Sequence, residues 1–312
     1  MNILRLREDM PREQWLRLRK RGIGGSDAGV ILGVSPYRSI LELYEDKISE
    51  ELIDEPETEA TYWGNVMEPI VREEFARRSG LEVQLVPYLL QNKECTFMQA
   101  NLDGMVHDPV YGKCIFEAKT SSAYKKEEWD KGIPETYYAQ LQHYMAVTGW
   151  NGAYIAALIG GNEFIYRFVP RDDQYIEDLI VKEEVFWEHV RLKQMPYADG
   201  AKATGEYIKK EYPLAQADTV LELDEDSHKW LVQYYRSSSE LKEVEKRKAE
   251  AENNLKQLVG NYESARIGNN VIRWSNVTSQ RLDTDKLKLE LPEVYQQYLK
   301  ESSSRRFSVK CG

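Results

Sequence analysis

Asp103, Glu117 and Lys119 carry the strongest chemical signal in this 312-residue chain. Residues 113–119 (KCIFEAK) read as a strand, and residues two apart on a strand share a face. Glu117 and Lys119 therefore lie together, with Phe116 and Ala118 on the other side. Asp103 stands at an Asp-Gly bend, and a hairpin through residues 109–112 sets it beside Glu117. Two carboxylates converging from adjacent strands suit a hard divalent cation such as Mg²⁺, which takes oxygen ligands and keeps several waters. The Ala118 carbonyl offers a further oxygen. Lys119 beside such an ion either positions and helps deprotonate a water or stabilises charge on a transferring phosphate. The bland alternative is a solvated Glu–Lys pair, but an apolar, half-buried strand is a costly place for unpaired charge.

Other side chains can join this centre. Glu68 lies on a helix read over residues 63–79, where Gly64 permits close approach to a sheet and Pro69 removes a backbone hydrogen bond and distorts the helix. Gln140 and Tyr144 are four apart on a helix over 134–148 and face the same way. A glutamine amide can hold a phosphate oxygen or a bound water, with the tyrosine supporting it. Near the start, Trp15 and Arg19 on a basic helix precede a Gly-rich turn carrying Ser26. An arginine fork and a serine hydroxyl beside glycine amides form an anion site. The turn is not a P-loop, since no Gly-Lys-Ser/Thr follows Gly29.

The elements that must hold these residues follow from hydrophobic periodicity. A basic helix over 11–21 leads through the Gly-rich turn, where Ser26 or Asp27 can cap the next helix, and LELYEDKI is a further amphipathic helix. Residues 50–59 form an acidic loop. In the 63–79 helix, Val66, Ile70, Val71 and Phe75 recur at helical spacing. Three strands are expected, in LEVQLVPYLL, in FMQANLDGMVHD and in KCIFEAK. The helix over 134–148 follows, then a hairpin of AYIAALIG and EFIYRFV around Gly160 and Gly161, and a helix over 171–194. The expected fold is a mixed α/β core over 1–195, a connector at 196–223, and an extension over 224–312. That extension holds a charged, coiled-coil-like helix with a Leu241, Val244, Ala251, Leu255 and Leu258 stripe, then a small strand-containing tail around a helix at 284–300.

Composition bounds the function. Lys+Arg 42 against Asp+Glu 52 leaves a net charge of −10, which excludes nucleic-acid binding by bulk charge but not a local basic channel. No run reaches the roughly 18 apolar residues of a membrane span, and the start MNILRLREDM lacks an apolar leader core, so the expectation is a soluble, cytoplasmic protein. Cys95, Cys114 and Cys311 are too few for a disulfide framework or a four-thiolate cluster. The four histidines show no zinc spacing, and His143 reads as structural.

Taken in order, Glu68, Asp103, Glu117-x-Lys119 and Gln140-xxx-Tyr144 resemble the PD-(D/E)xK nuclease pattern, and within it the lambda-exonuclease and YqaJ-type viral recombinase group. The resemblance covers about residues 12–195 and is similar again at the Ser304–Phe307 stretch; it departs at Leu102, where the family name has proline. It implies a restriction-endonuclease-like core of a mixed sheet flanked by helices. It also implies a phage-type, Mg²⁺-dependent exonuclease, with Mn²⁺ as an alternative and one or two ions. Such an enzyme digests one strand of linear duplex DNA from its 5′ end, leaving 3′ tails for recombination. Asp103, Glu117 and the Ala118 carbonyl would be metal ligands with Glu68, and Lys119 the water-positioning base; Glu68, Gln140 and Tyr144 would complete the catalytic set. Arg19, Ser26, Arg21 and Ser35 would contact the 5′-phosphate and DNA. A homo-oligomer, a trimer in the family, and a single-strand annealing partner are implied as well. The competing readings are an endonuclease built on the same site and a catalytically silent partner-binding module.

Overall fold

A computed structural model of the chain describes residues 1–6, 10–52 and 58–310; residues 53–57 of the expected acidic loop, and Cys311, lie outside them. The chain divides into two compact units, Met1–Tyr212 and Pro213–Gly312.

The first unit opens with strand β1 (Asn2–Leu6), then helices α1 (Arg12–Lys20), α2 (Gly25–Ile31), α3 (Ile40–Ile48) and α4 (Glu59–Ser79). Short strands β2 (Val83–Gln84), β3 (Tyr88–Gln91) and β4 (Gln99–Ala100) lead to the hairpin of β5 (Gly104–Asp108) and β6 (Gly112–Ser121). Helices α5 (Lys126–Lys131) and α6 (Glu135–Thr148) carry the chain across to β7 (Gly152–Ile159) and β8 (Glu163–Pro170), and α7 (Asp173–Leu192) and α8 (Lys202–Glu211) close the unit.

The main sheet has five strands in the order β2-β5-β6-β7-β8, with β6 and β7 parallel and every other pair antiparallel. Alternation along β6 decides what each face meets. Phe116 and Ala118 join Val71 and Phe75 of α4 on one side, while Ile115 packs with Leu141, Tyr144 and Met145 of α6 on the other. The core is thus a mixed α/β sandwich, with α4 and α6 flanking the sheet. The β7–β8 connection is three residues long, with Ile159 paired to Glu163, and within it Gly160 and Gly161 stand at φ 60 and 77, the left-handed region that favours glycine.

Four expectations change. LEVQLVPYLL is not one strand: Pro87, which cannot continue a ladder, interrupts it, and β2 and β3 on either side enter different sheets. FMQANLDGMVHD likewise splits at the Asp103 bend, and β3 and β4 join β1, which hydrophobic periodicity does not reveal, in a three-stranded sheet. Helix α4 runs unbroken through Pro69, and Val66 and Ile70 are 39% and 50% exposed, outside the core that Val71 and Phe75 form. The stretch read as a connector contains α8, which docks on α3 through Tyr207 Oη donating to Glu45 at 2.5 Å; residues 213–223 hold no helix or strand.

His143 is structural in a specific way. It is fully buried, with Nδ1 2.7 Å from Glu183 Oε1 and Nε2 2.9 Å from the Gln99 carbonyl, tying α6 to α7 and β4. A carbonyl only accepts, so Nε2 carries a proton, and the imidazole–carboxylate contact needs one more proton between its partners. Burial opposes the charged imidazole, but Glu183 outweighs it and raises the His143 pKa above 6.5. The stability this contributes is therefore present below about pH 6.5 and lost as pH rises through the raised value. His143→Ala leaves Glu183 buried without its partner and should cost about 3–5 kcal/mol in urea unfolding at pH 6.5. A cost below about 1 kcal/mol would contradict the pairing.

In the second unit, α9 (His228–Val259) is one 32-residue helix, followed by the hairpin of β9 (Ser264–Ile267) and β10 (Asn270–Arg273). The helix expected over 284–300 is two, α10 (Thr284–Glu290) and α11 (Pro292–Gln297), interrupted at Leu291 before a proline. Leu241, Val244 and Leu258 of the expected stripe are exposed, and the Phe307 ring meets Tyr234 edge-on at 5.9 Å.

Candidate active site

The β5–β6 register pairs Gly104 with Phe116, so Asp103 stands opposite Glu117, and its Oδ2 accepts a 2.9 Å hydrogen bond from the Ala118 amide. Glu117 and Lys119 share the α6 face of β6. The Lys119 ammonium donates to Glu117 Oε1 at 2.6 Å, and Gln140 Nε2 donates to the same oxygen at 2.8 Å and to Tyr144 Oη at 3.0 Å. Glu117 Oε2 is buried and, among the described residues, has no hydrogen-bond partner.

Charge distribution explains what this arrangement is suited to. Burial first, and the Asp103 charge second, push the Glu117 carboxyl up to about 8 against the pull of Lys119; Glu68 on α4 adds in the same direction. Burial works against the Lys119 ammonium, but Glu117 and Asp103 hold its proton more tightly than usual, so the lysine is a charged donor at neutral pH.

The donor set has the chemistry of a hard-cation site: carboxylate oxygens, one of them buried and without a partner among the described residues, with no thiolate or imidazole in the set. Among the described residues no group of three or more His, Cys, Asp and Glu is assembled as a ligand cluster. Asp103, Glu117 and a main-chain carbonyl completed by waters fit Mg²⁺, which seldom takes an all-protein cage. Glu68 is 3.6 Å from Arg72 one helical turn away, and it reaches the centre through its charge on Glu117. Gly64 faces Thr120 of β6, and a Cβ there would make an ordinary 3.9 Å contact with the Thr120 hydroxyl, so the approach of α4 does not depend on glycine.

A cleft of about 190 Å³ adjoins this centre and is lined by Trp15, Arg19, Ser26, Asn101, Gln140 and Tyr144, among others. The Gly-rich turn is stitched into place. Ile23 donates to the Phe97 carbonyl at 2.6 Å, and Gln99 donates back to the Ile23 carbonyl at 2.8 Å. Asp27 rather than Ser26 caps α2, accepting from the Gly24 amide at 3.0 Å while paired with the buried ammonium of Lys47 at 2.8 Å. Burial opposes its charge, yet Lys47 and Arg19 hold the Asp27 carboxyl at about 2. Ser26 is left exposed at the cleft.

Gly25 and Gly29 form the α2 face packed on α6. A Cβ at Gly29 would lie 2.6 Å from Thr136 Oγ1, and one at Gly25 would collide with the Tyr144 ring and crowd Gln140 at 3.0 Å. Gly25→Ala should therefore cost about tenfold or more in any activity that needs Gln140 on Glu117, with little loss of secondary structure. Full activity in the alanine variant would show that Gln140 is not needed there.

Of the expected site residues, the structure brings Asp103, Glu117, Lys119, Gln140 and Tyr144 into one hydrogen-bonded cluster. It brings Arg19 and Ser26 to the adjoining cleft. Arg21 and Ser35 do not line that cleft: Arg21 is the exposed C-cap of α1, and buried Ser35 accepts from the Tyr37 amide at 3.3 Å. Asn101 and Tyr137 were missed as site residues. Asn101 is two positions from Asp103, and Tyr137 is three before Gln140, its ring 5.0 Å from the Lys119 ammonium.

Fold and site together define a mixed α/β protein with a carboxylate–lysine centre beside an arginine-bearing cleft. The pattern of the YqaJ-like viral recombinase domain matches residues 14–151. The uncharacterized protein YqaJ of Bacillus subtilis (strain 168) is 39% identical over 313 residues, covering 99% of this chain and 97% of its own length. The chain belongs to the YqaJ-like viral recombinase family. Similar solved structures include the alkaline exonuclease LHK-Exo of Laribacter hongkongensis in complex with dAMP, at 20% identity and TM-score 0.49, covering 64% of this chain and 98% of that one. A phage related exonuclease from Haemophilus somnus 129PT is similar at 13% identity and TM-score 0.43, covering 57% and 99%. Among the described residues no helix is long and apolar enough to cross a membrane.

Proposed function

We propose that this protein is a Mg²⁺-dependent exonuclease that digests one strand of linear duplex DNA from a 5′-phosphorylated end, leaving 3′ single-stranded tails for phage-type recombination. The observation that carries this reading is the buried Glu117 carboxylate between Asp103 and Lys119, with one oxygen that has no hydrogen-bond partner among the described residues. Membership of a viral recombinase family supports it.

Asp103, Glu117 and the Ala118 carbonyl hold Mg²⁺ or Mn²⁺, one ion or two, with Glu68 as a supporting carboxylate. When bound, such an ion supplies Lewis-acid charge that lowers the pKa of a water and offsets charge on a transferring phosphate. Lys119 donates hydrogen bonds to the attacking water and to the phosphate oxygens that gain charge. Gln140 occupies Glu117 Oε1 and leaves Oε2 for other work, and the Tyr144 hydroxyl accepts from the same amide and fixes its position. Arg19 and Ser26 receive the terminal 5′-phosphate in the cleft, and Trp15 walls it.

In this reading the catalytic parts lie within residues 1–195, and residues 224–312, joined through 196–223, dock a single-strand annealing protein. The chain acts as a homo-oligomer, a trimer, in the cytoplasm of a bacterial host. Linear duplexes with 5′-phosphate and 5′-hydroxyl ends, and covalently closed circles, test the end-dependence. Digestion is expected for the phosphorylated duplex first and for circles not at all. Cutting of circles would make the protein an endonuclease on the same site.

A further inference from the structure

A second cavity, of about 210 Å³, has a wall that includes Tyr37, Ser121, Lys125 and Tyr137. Two elements fix its place relative to the catalytic centre. On α6, Tyr137, Gln140 and Tyr144 lie at i, i+3 and i+7 on one face, and this face spans about 10 Å at 1.5 Å per residue. Tyr137 lines the second cavity, Gln140 grips Glu117, and Tyr144 lines the Arg19 cleft. On β6, Glu117, Lys119 and Ser121 share the facing side and run the same course: Glu117 on Gln140, Lys119 5.0 Å from the Tyr137 ring, and Ser121 in the cavity wall. The two cavities therefore sit on either side of the Glu117–Lys119 pair. A strand with its terminal phosphate at Arg19 and its first phosphodiester at Glu117 must send its next nucleotide toward Tyr37.

The chemistry of the wall selects what part of that nucleotide enters. Tyr37 is 63% exposed, and its hydroxyl is held by Lys125 and hydrogen-bonded with Tyr137. The Lys125 ammonium also lies 4.3 Å from the centre of the Tyr37 ring. Glu128 and Glu135 line the same cavity, so two carboxylates face one ammonium and a phosphate is not drawn inside. A neutral ring is. The volume is below the roughly 300 Å³ at which pockets for whole drug-sized ligands begin, the scale of a single heterocycle. We infer that this cavity is a nucleobase subsite, in which the base of the second nucleotide from the 5′ end stacks on Tyr37 while the phosphodiester before it lies at Glu117 and Lys119. This deepens the exonuclease reading and rests on it for the direction of the strand.

The test uses the full chain and a 5′-phosphorylated linear duplex with 2-aminopurine as its second nucleotide. Binding is followed by fluorescence with Mg²⁺ present, in Lys119→Ala protein and in the Lys119→Ala/Tyr37→Leu double variant. Stacking predicts quenching in the first that is largely lost in the second. Separately, an abasic second nucleotide should slow digestion about tenfold in the otherwise wild-type protein and leave Tyr37→Leu, already slowed, nearly unaffected. Equal quenching in both proteins, no quenching in either, or an equal abasic penalty with and without Tyr37 would overturn the subsite. Tyr37-dependent quenching in a protein whose wild type digests no duplex would instead keep the subsite and remove the exonuclease reading.

Discussion

Lys119→Ala is expected to lower the rate of duplex digestion by about 10³-fold while leaving DNA binding within a few-fold of wild type. The ammonium donates to Glu117 at 2.6 Å, and under the proposed function it sits where charge builds on the phosphate, so its contribution would be to the transition state and not to holding the duplex. Lys119→Arg should not restore the rate. The guanidinium is planar and larger, and the lysine's place is confined by the Glu117 carboxylate and the Tyr137 ring 5.0 Å away. Single-turnover kinetics and a binding titration check both halves. A loss that appears wholly in binding would assign Lys119 to DNA contact.

The second large effect is on stability and has the opposite sign from what truncating an ion pair usually brings. Burial and Asp103 raise the Glu117 carboxyl from 4.5 to about 8, so the folded metal-free protein binds a proton that the unfolded chain releases between those values. Stability therefore falls as pH rises from about 4.5 to 8, and levels above it. Glu117→Gln removes this cost while keeping the shape. Each pKa unit is worth about 1.4 kcal/mol, and Lys119 loses a charged partner, so the expected net gain at pH 8 is about 1–3 kcal/mol without divalent cation, with little change at pH 5. Adding Mg²⁺ should raise the unfolding free energy of wild type at pH 8 and not that of the glutamine variant. Urea unfolding at the two pH values, with and without Mg²⁺, reads all four arms. A glutamine variant less stable than wild type at pH 8 without cation would contradict the account of the buried carboxylate.

These two residues were legible because their geometry is local. The two-residue period of a strand puts Glu117 and Lys119 on one face, and an Asp-Gly bend ahead of a short turn puts Asp103 opposite, as the β5–β6 register has it. Gln140 and Tyr144 follow from helical spacing in the same way. What could not be read arises between distant segments. Nothing near Pro87 says that β2 and β3 serve different sheets, since that depends on where β1 and β4 lie. The close approach of Gly25 and Gly29 to α6 looks in sequence like any Gly-rich turn, and only the packed helices give each glycine its reason. Ser35 has a phosphate-binding residue type, but the chain folds it into the turn after α2, where it serves the Tyr37 amide. The Tyr37 cavity draws on the loop after α2, the end of β6 and the start of α6, segments about one hundred residues apart at the extremes.

Under the proposed function, Asp103 and Glu117 form a divalent-cation site that drives hydrolysis of a DNA end. The most direct test of that site is digestion of a 5′-phosphorylated linear duplex by the wild-type protein stripped of metal with EDTA, dialysed, and then given Mg²⁺. No digestion is expected in the stripped protein and full recovery on adding Mg²⁺, with no recovery when the same is done for Asp103→Asn or Glu117→Gln. Equal digestion with and without Mg²⁺, or recovery in the variants that matches wild type, would contradict it.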